Sequence, residues 1–438
     1  MDHDRIWDPE HETMPRDTLG QLQLERLQVV LNRAMRNVAF YRERFAPLDF
    51  VPDGVRSLED LALLPMTSRD DLREGYPYGF FAVPMREVVR IDTAPGLTRS
   101  PTVSAYTSHD LDRWAQLTAR VLTAAGVTAD SVVQIPFETG MFDSGFGFLR
   151  GAQLIGASVI SVPGEDYARQ IRMMYDYRTT VLIAMPSDAL RLADELARSD
   201  GPRGLWLETA LLGGEPWSEA MRAEIEERLG ARATDNYWVR IAATPGVAFE
   251  CPARCGLHIN EDHFLAEIID PETLEPLAPG NEGELVLTTL EKEALPIIRH
   301  RTGDICSLMT EPCECGRSFA RITRPHTRTD DRIVVRGVSI QPLVVAATIE
   351  EALGTTPTYQ IVVGEERPDD VQVRLVAPAQ DAGSEETLVG LARDREQIER
   401  EMTVMLGIQV RVNIVERTSL IGSADAPPTV VDLRVTSL

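Results

Sequence analysis

Residues 157–200 read ASVISVPGEDYARQIRMMYDYRTTVLIAMPSDALRLADELARSD. Two short apolar runs, ASVISVP and TTVLIAMP, each end at a proline. Each is followed by a stretch with helical spacing, YARQIRMMYDY and SDALRLADELARSD. Runs that are apolar on successive residues suit strands covered on both faces, as in sheets flanked by helices. A third run of this kind, VVQIP, occupies 132–136. The alternation predicts a layered α/β fold.

Working outward, residues 17–45 carry apolar positions at helical spacing and predict a long opening helix with Asp17 as its cap. Residues 67–77 and 108–126 predict two further capped helices. From about residue 247 the pattern changes. HFLAEIIDPETLEPLAPGNEGELVLTTL (263–290) predicts a hairpin-rich region with a turn at DPETLEPL, forming a small β subdomain. Beyond TRTDDRIVVRG (327–337), apolar runs at 342–353, 358–365 and 370–378 and a helical pattern over 391–407 predict a small α+β unit. The expected domains are 1–329 and 330–438, with the boundary at Asp330.

A chain of 438 residues exceeds the roughly 250–300 at which single cores stop growing. Hydrophobic residues make up 43% and charged residues 26%, so the chain can bury a sizeable core. A formal charge of -24 argues against a nucleic-acid or anionic membrane surface, since both need a basic face. The opening residues show no basic region followed by an apolar stretch, and no segment approaches the roughly 18 apolar residues of a membrane helix. The expected location is the cytoplasm. Lys292 is the single lysine among 44 basic residues. Lysine chemistry is thereby confined to one position.

The five cysteines, Cys251, Cys255, Cys306, Cys313 and Cys315, all lie between 251 and 315, which fits metal binding better than a disulfide framework. Cys251 with His258, and Cys313 with Cys315, offer four soft ligands from two loops, the composition of a closed tetrahedral Zn²⁺ site. Cys255 is a fifth candidate. Cys306, at strand-like spacing in ICSLM, reads either as a core thiol or as an acyl acceptor.

The assembled segments resemble the phenylacetate-CoA ligase branch of the adenylate-forming superfamily. The resemblance rests on QLERLQVVLNRAMRNVAFYRERF, LPMTSRDDLREGYPYGFFAVP, LGGEPW, PGVAFECPARCGLHINEDHF, GELVLTTLEKEALPIIRHRTGD, CECGRSFARI and TRTDDRIVVRGVSIQP, in the order of that family and over nearly the whole chain. It implies a large N-terminal domain that binds ATP and an acid and forms an acyl-adenylate. It also implies a small C-terminal domain that rotates so that coenzyme A attacks. The same resemblance implies the Cys251, His258, Cys313 and Cys315 ligand set.

Residue by residue, the resemblance makes Asp304 the acceptor of ribose hydroxyls and Arg328 its partner. Tyr237 is a cofactor-binding residue, Gly214, Glu215 and Pro216 form an adenine-side loop, and Asp330 is the hinge. Phe137, Phe142, Gly145, Trp238 and Ile241 form the wall of the acid pocket. Other positions depart from the family. Ala94 to Thr102 replaces the glycine-rich phosphate loop with a stretch holding Pro95, Leu97 and Arg99. Ile241 stands where a glutamate would hold Mg²⁺, and no lysine follows Lys292.

These departures lead to the expectation that Mg-ATP is not used. The expected function is then transfer of an aryl or short acyl group from a coenzyme A thioester to the phosphopantetheine thiol of an acyl carrier protein, as in starter-unit loading for a natural product. His300, where the family shows tyrosine, would be the base for the incoming thiol. The expected ligands are a small aryl or acyl thioester and a structural zinc, with no nucleic acid and no membrane, and a homodimer is compatible. Two alternatives stand beside this reading: an ATP-dependent aryl-acid CoA ligase of the phenylacetate, benzoate or anthranilate kind, and a non-catalytic ligand-binding protein.

Overall fold

A computed structural model describes residues 5–48, 50–93, 102–136, 143–162, 166–198, 204–330, 332–354, 358–364, 367–376, 385–422 and 429–434. The described chain divides into two compact units. One takes the described parts of 5–93, 102–213 and 223–329, and the other takes 214–222 and the described parts of 330–434.

The first unit is built on one sheet of twelve strands among the described residues. Ser158–Ser161, Val132–Ile135, Val181–Ala184, Thr209–Gly213 and Arg232–Val239 pair in that order, all parallel. Val181–Ala184 and Thr209–Gly213 are buried at every residue, as strands covered on both faces must be. Helices Asp143–Ile155, Tyr167–Tyr177, Pro186–Arg198 and Glu219–Leu229 fall between these strands in the chain. From Arg232–Val239 onward the sheet continues antiparallel, through Ala243–Glu250, Leu257–Ile259, Arg321–Ile322, His300–Met309, Glu282–Thr289 and Phe264–Ile269. The β-rich stretch therefore extends the same sheet.

Helix Ser108–Ala125 starts at a reciprocal cap between Thr107 and Asp110 and stops at Gly126, whose φ of 101° continues no helix. It packs closely on Asp143–Ile155. A Cβ on Gly151 would lie 2.7 Å from the Thr118 side chain, so glycine permits this approach. The opening segment forms two helices, Arg16–Asn37 and Ala39–Phe45, broken where Val38 is extended. Asp17 does not cap it. Pro15 occupies that position, and Asp17 lies in the first turn, where a carboxylate favours the helix dipole.

In the second unit, strands Val410–Val415, Val371–Val376, Tyr359–Val363 and Val430–Asp432 form a mixed sheet with helices Pro342–Leu353 and Glu385–Leu406. The architecture is α/β, with a large sheet-based unit and a small α+β unit. Among the described residues, no helix is long and apolar enough to cross a membrane.

Candidate active site

Asp304 and Arg328 face each other across two paired strands, His300–Met309 and Thr327–Arg328. Arg328 Nη1 donates to Asp304 Oδ1, and its Nη2 donates to Thr302 O at 2.7 Å. The other carboxylate oxygen, Oδ2, accepts from the Tyr237 hydroxyl at 2.5 Å. Each oxygen thus keeps lone pairs in reserve while its direction is set by a protein donor. Gly303, with φ of 80°, lies within His300–Met309 where its pairing with Glu282–Thr289 shifts register, one residue before Asp304. Its N–H donates to the buried Glu284 carboxylate at 3.0 Å, which also receives Arg301. The Arg301 to Asp304 run is therefore tied firmly to its neighbours in the sheet. Asp304 and Arg328, expected as partners, come together with Tyr237 as one group.

Trp238, one residue on from Tyr237, donates through Nε1 to Asn236 Oδ1 and meets the Phe148 ring edge to face at 5.9 Å. Ile241 is buried in the apolar core. Its side chain offers no oxygen to a cation. Gly145 is buried in helix Asp143–Ile155, while Phe137 and Phe142 lie outside the described residues, as do positions 94–101 and 423–428. Gly214, Glu215 and Pro216 belong to the second unit, where Glu215 accepts from the Arg336 N–H at 2.9 Å. Asp330 is the residue at which that unit resumes, with Arg332 Nε 3.7 Å from its carboxylate.

Lys292 has a role that spacing alone did not reveal. Its ammonium donates to the carbonyls of Ile241 at 3.0 Å and Ala242 at 3.2 Å and lies 4.3 Å from the Tyr106 ring centre. Tyr106 in turn stacks on Trp114 at 5.1 Å, with Phe146 beside it. The one available signal was that a chain otherwise using arginine keeps a lysine here. Lys292→Met would orphan two buried carbonyls, at about 1–3 kcal/mol each. A thermal melt of this variant should show the loss, and an unchanged melt would contradict the contact.

Lys292, Ala242, Tyr106 and Trp114 border a cavity of about 40 Å³, lined also by His263, Glu291 and Asp110. Burial pushes the His263 imidazole down to about 4, against the pull of Asp262 and Glu291. The folded state thus holds fewer protons than the unfolded chain below the ordinary histidine value of about 6.5. Stability from this group is full above that value and falls as pH drops towards 4, by roughly 3 kcal/mol in total. Chemical denaturation across this range should show the fall in the wild type and a shallower one in His263→Gln.

His300 is buried, with Nδ1 3.2 Å from the Thr67 carbonyl oxygen, and its backbone bridges Thr67. Cys306 corrects the acyl-acceptor expectation. Its side chain is fully buried in the core, and burial pushes the thiol up to about 12, so the thiolate needed for attack is not available at neutral pH.

The two cysteine-bearing loops converge. Cys251, His258, Cys313 and Cys315 place one ligand atom each within 4.8 Å of one another. Cys251 Sγ is 3.6 Å from Cys313 Sγ, and Cys315 Sγ is 3.3 Å from His258 Nε2. His258 Nδ1 lies 2.9 Å from the Phe319 carbonyl oxygen, which leaves Nε2 for a metal. The donor set and its closure fit Zn²⁺.

Residues 337–434 match the family described as the AMP-binding enzyme C-terminal domain. The phenylacetate-coenzyme A ligase of Thermus thermophilus is 40% identical over 422 residues, covering 93% of this chain and 95% of its own. That of Escherichia coli is 37% identical over 432 residues, 97% of each. The chain belongs to the phenylacetate-CoA ligase family. A crystal structure of 2-hydroxyisobutyryl-CoA ligase in complex with 2-HIB-AMP and CoA superposes with a TM-score of 0.87 at 26% identity, over 99% of this chain and 93% of that one.

Membership in the phenylacetate-CoA ligase family overturns the expectation of a non-adenylating acyltransferase, together with its carrier protein and natural-product setting. The full-length relatives are named ligases. The expectation that Mg-ATP is not used falls with it. That expectation leaned on Ala94 to Thr102, of which 94–101 lie outside the described residues, on Ile241, and on a tail, 424–432, without lysine, of which 424–428 lie outside them. The chain is an enzyme of this ligase family.

Proposed function

We propose that the protein is an ATP-dependent ligase that joins an aromatic carboxylic acid of the phenylacetate or benzoate kind to coenzyme A. The acid would attack ATP to give an acyl-adenylate and pyrophosphate, and the coenzyme A thiol would then displace AMP to give the thioester. The observation that carries this reading is the Asp304 carboxylate held by Arg328 and Tyr237 in a chain whose full-length relatives are named phenylacetate-CoA ligases. A carboxylate aimed by two donors accepts the two ribose hydroxyls without reorganising. Mg²⁺ enters with ATP as part of the substrate, and Ile241 gives it no oxygen.

Cys251, His258, Cys313 and Cys315 would hold a structural Zn²⁺, since four protein ligands leave no open position for chemistry. The ligase reading is tested by chromatography of reactions containing phenylacetate, substituted benzoates, Mg-ATP and coenzyme A. An aryl-CoA that forms only when acid, ATP and coenzyme A are all present supports it. Failure of folded protein to form a thioester from every acid in the panel would sink it.

A further inference from the structure

Cys255 lies outside the four-ligand group yet touches it. Its Sγ is 3.5 Å from that of Cys313, and unlike the buried Cys251 and Cys313 it is exposed. The chain fixes it there. Arg254 and Gly256, on either side, both adopt left-handed conformations, with φ of 52° and 102°. Arg254 is anchored by donating to Glu226 and to the Ala233 carbonyl. A side chain on Gly256 would collide with the Met309 methyl. Arg321, itself buried, donates through Nη1 to both the carbonyl and the sulfur of Cys255, at 2.7 and 2.8 Å. The result is a solvent-facing thiol outside the ligand group, with a guanidinium at its sulfur and a metal-ligand sulfur in van der Waals contact. Four ligands already complete a zinc shell, so coordination does not explain the fifth thiol.

We propose that Cys255 is a redox site through which hydroperoxides open the zinc centre. The Cys255 thiolate attacks the O–O bond of hydrogen peroxide, forming a sulfenic acid and releasing hydroxide. The Cys313 thiolate then attacks the Cys255 sulfur, forming the Cys255–Cys313 disulfide and releasing the second hydroxide. Two thiolates lose two electrons and the peroxide gains them. The sulfurs lie 3.5 Å apart and close to the bonded distance of about 2.05 Å when the disulfide forms. Cys313 ceases to be a thiolate, and the zinc is left with three ligands and departs. A thiol reductant reverses both steps.

The test reads metal and mass, and so stands apart from the ligase reading. Purified protein of known zinc content is treated with hydrogen peroxide beside a chromophoric zinc chelator, then digested and mapped by mass spectrometry. The wild type should release zinc, lose the mass of two hydrogens, yield a peptide pair joining Cys255 to Cys313, and rebind zinc after reduction. Cys255→Ser should purify with the same zinc content and release it about tenfold more slowly or less. Equal release by Cys255→Ser, a disulfide that excludes Cys255, or wild-type protein that carries no zinc would each overturn the proposal.

Discussion

Asp304→Ala should raise the KM for ATP and lower kcat/KM for thioester formation by about 10²-fold or more. A hydrogen bond to a charged group contributes about 1.5–3 kcal/mol, and a ribose offers two hydroxyls to this carboxylate. The substitution also removes the ion pair of Asp304 with Arg328 and its hydrogen bond from Tyr237. Asp304→Asn keeps the shape and one acceptor oxygen, and should recover part of the loss. Arg328→Lys should not behave as a mild change, because the guanidinium holds Asp304 and the Thr302 carbonyl at once and a point ammonium does not reproduce that fork. Initial rates against ATP concentration, with melting curves as a folding control, decide the matter. An Asp304→Ala enzyme with an unaltered KM for ATP would remove this residue from the nucleotide site.

Cys251→Ser should give the largest loss of stability. Structural zinc in small peptides contributes about 10–16 kcal/mol to folding at neutral pH. In a larger unit only the loops depending on the metal unravel, so a fall in melting temperature of about 5–10 °C is expected. Cys251 and His258 are fully buried, and serine would leave a hydroxyl among soft ligands without the thiolate the metal requires. Zinc content by atomic absorption should fall in parallel with the melt. A Cys251→Ser protein with full zinc and an unshifted melt would contradict the proposed centre.

Three of the five parallel strands, Val132–Ile135, Ser158–Ser161 and Val181–Ala184, were legible as short apolar-rich runs, whereas Arg232–Val239, which carries Arg232, Thr234, Asp235 and Asn236, offers no such run. Val181–Ala184 and Val132–Ile135 need no tertiary knowledge to be found. The break at Val38 was not legible. Leu27, Leu31 and Ala34 before it and Tyr41 and Phe45 after it face the same core, so the helical periodicity runs on through one extended residue. The site divides in the same way. Asp304, Arg328 and Tyr237 could each be named from a motif, but their hydrogen bonds come from a strand register that pairs residues 24 apart and from a tyrosine 67 residues away. The stack of Tyr106 on Trp114 and the grip of Lys292 on the 241–242 carbonyls carry no local pattern at all. The function was misread for a related reason. The departures at Ala94 to Thr102, at Ile241 and after Lys292 argue locally against adenylation, while the likeness along the whole length, which assigns the family, argues for it.

Whether this chain activates an acid as its adenylate is tested most directly by acid-dependent exchange of labelled pyrophosphate into ATP, measured without coenzyme A. Exchange that appears with an aromatic acid, requires Mg²⁺ and disappears in Asp304→Ala is the expected result. No exchange with any acid, from protein that is folded and binds ATP, would contradict it.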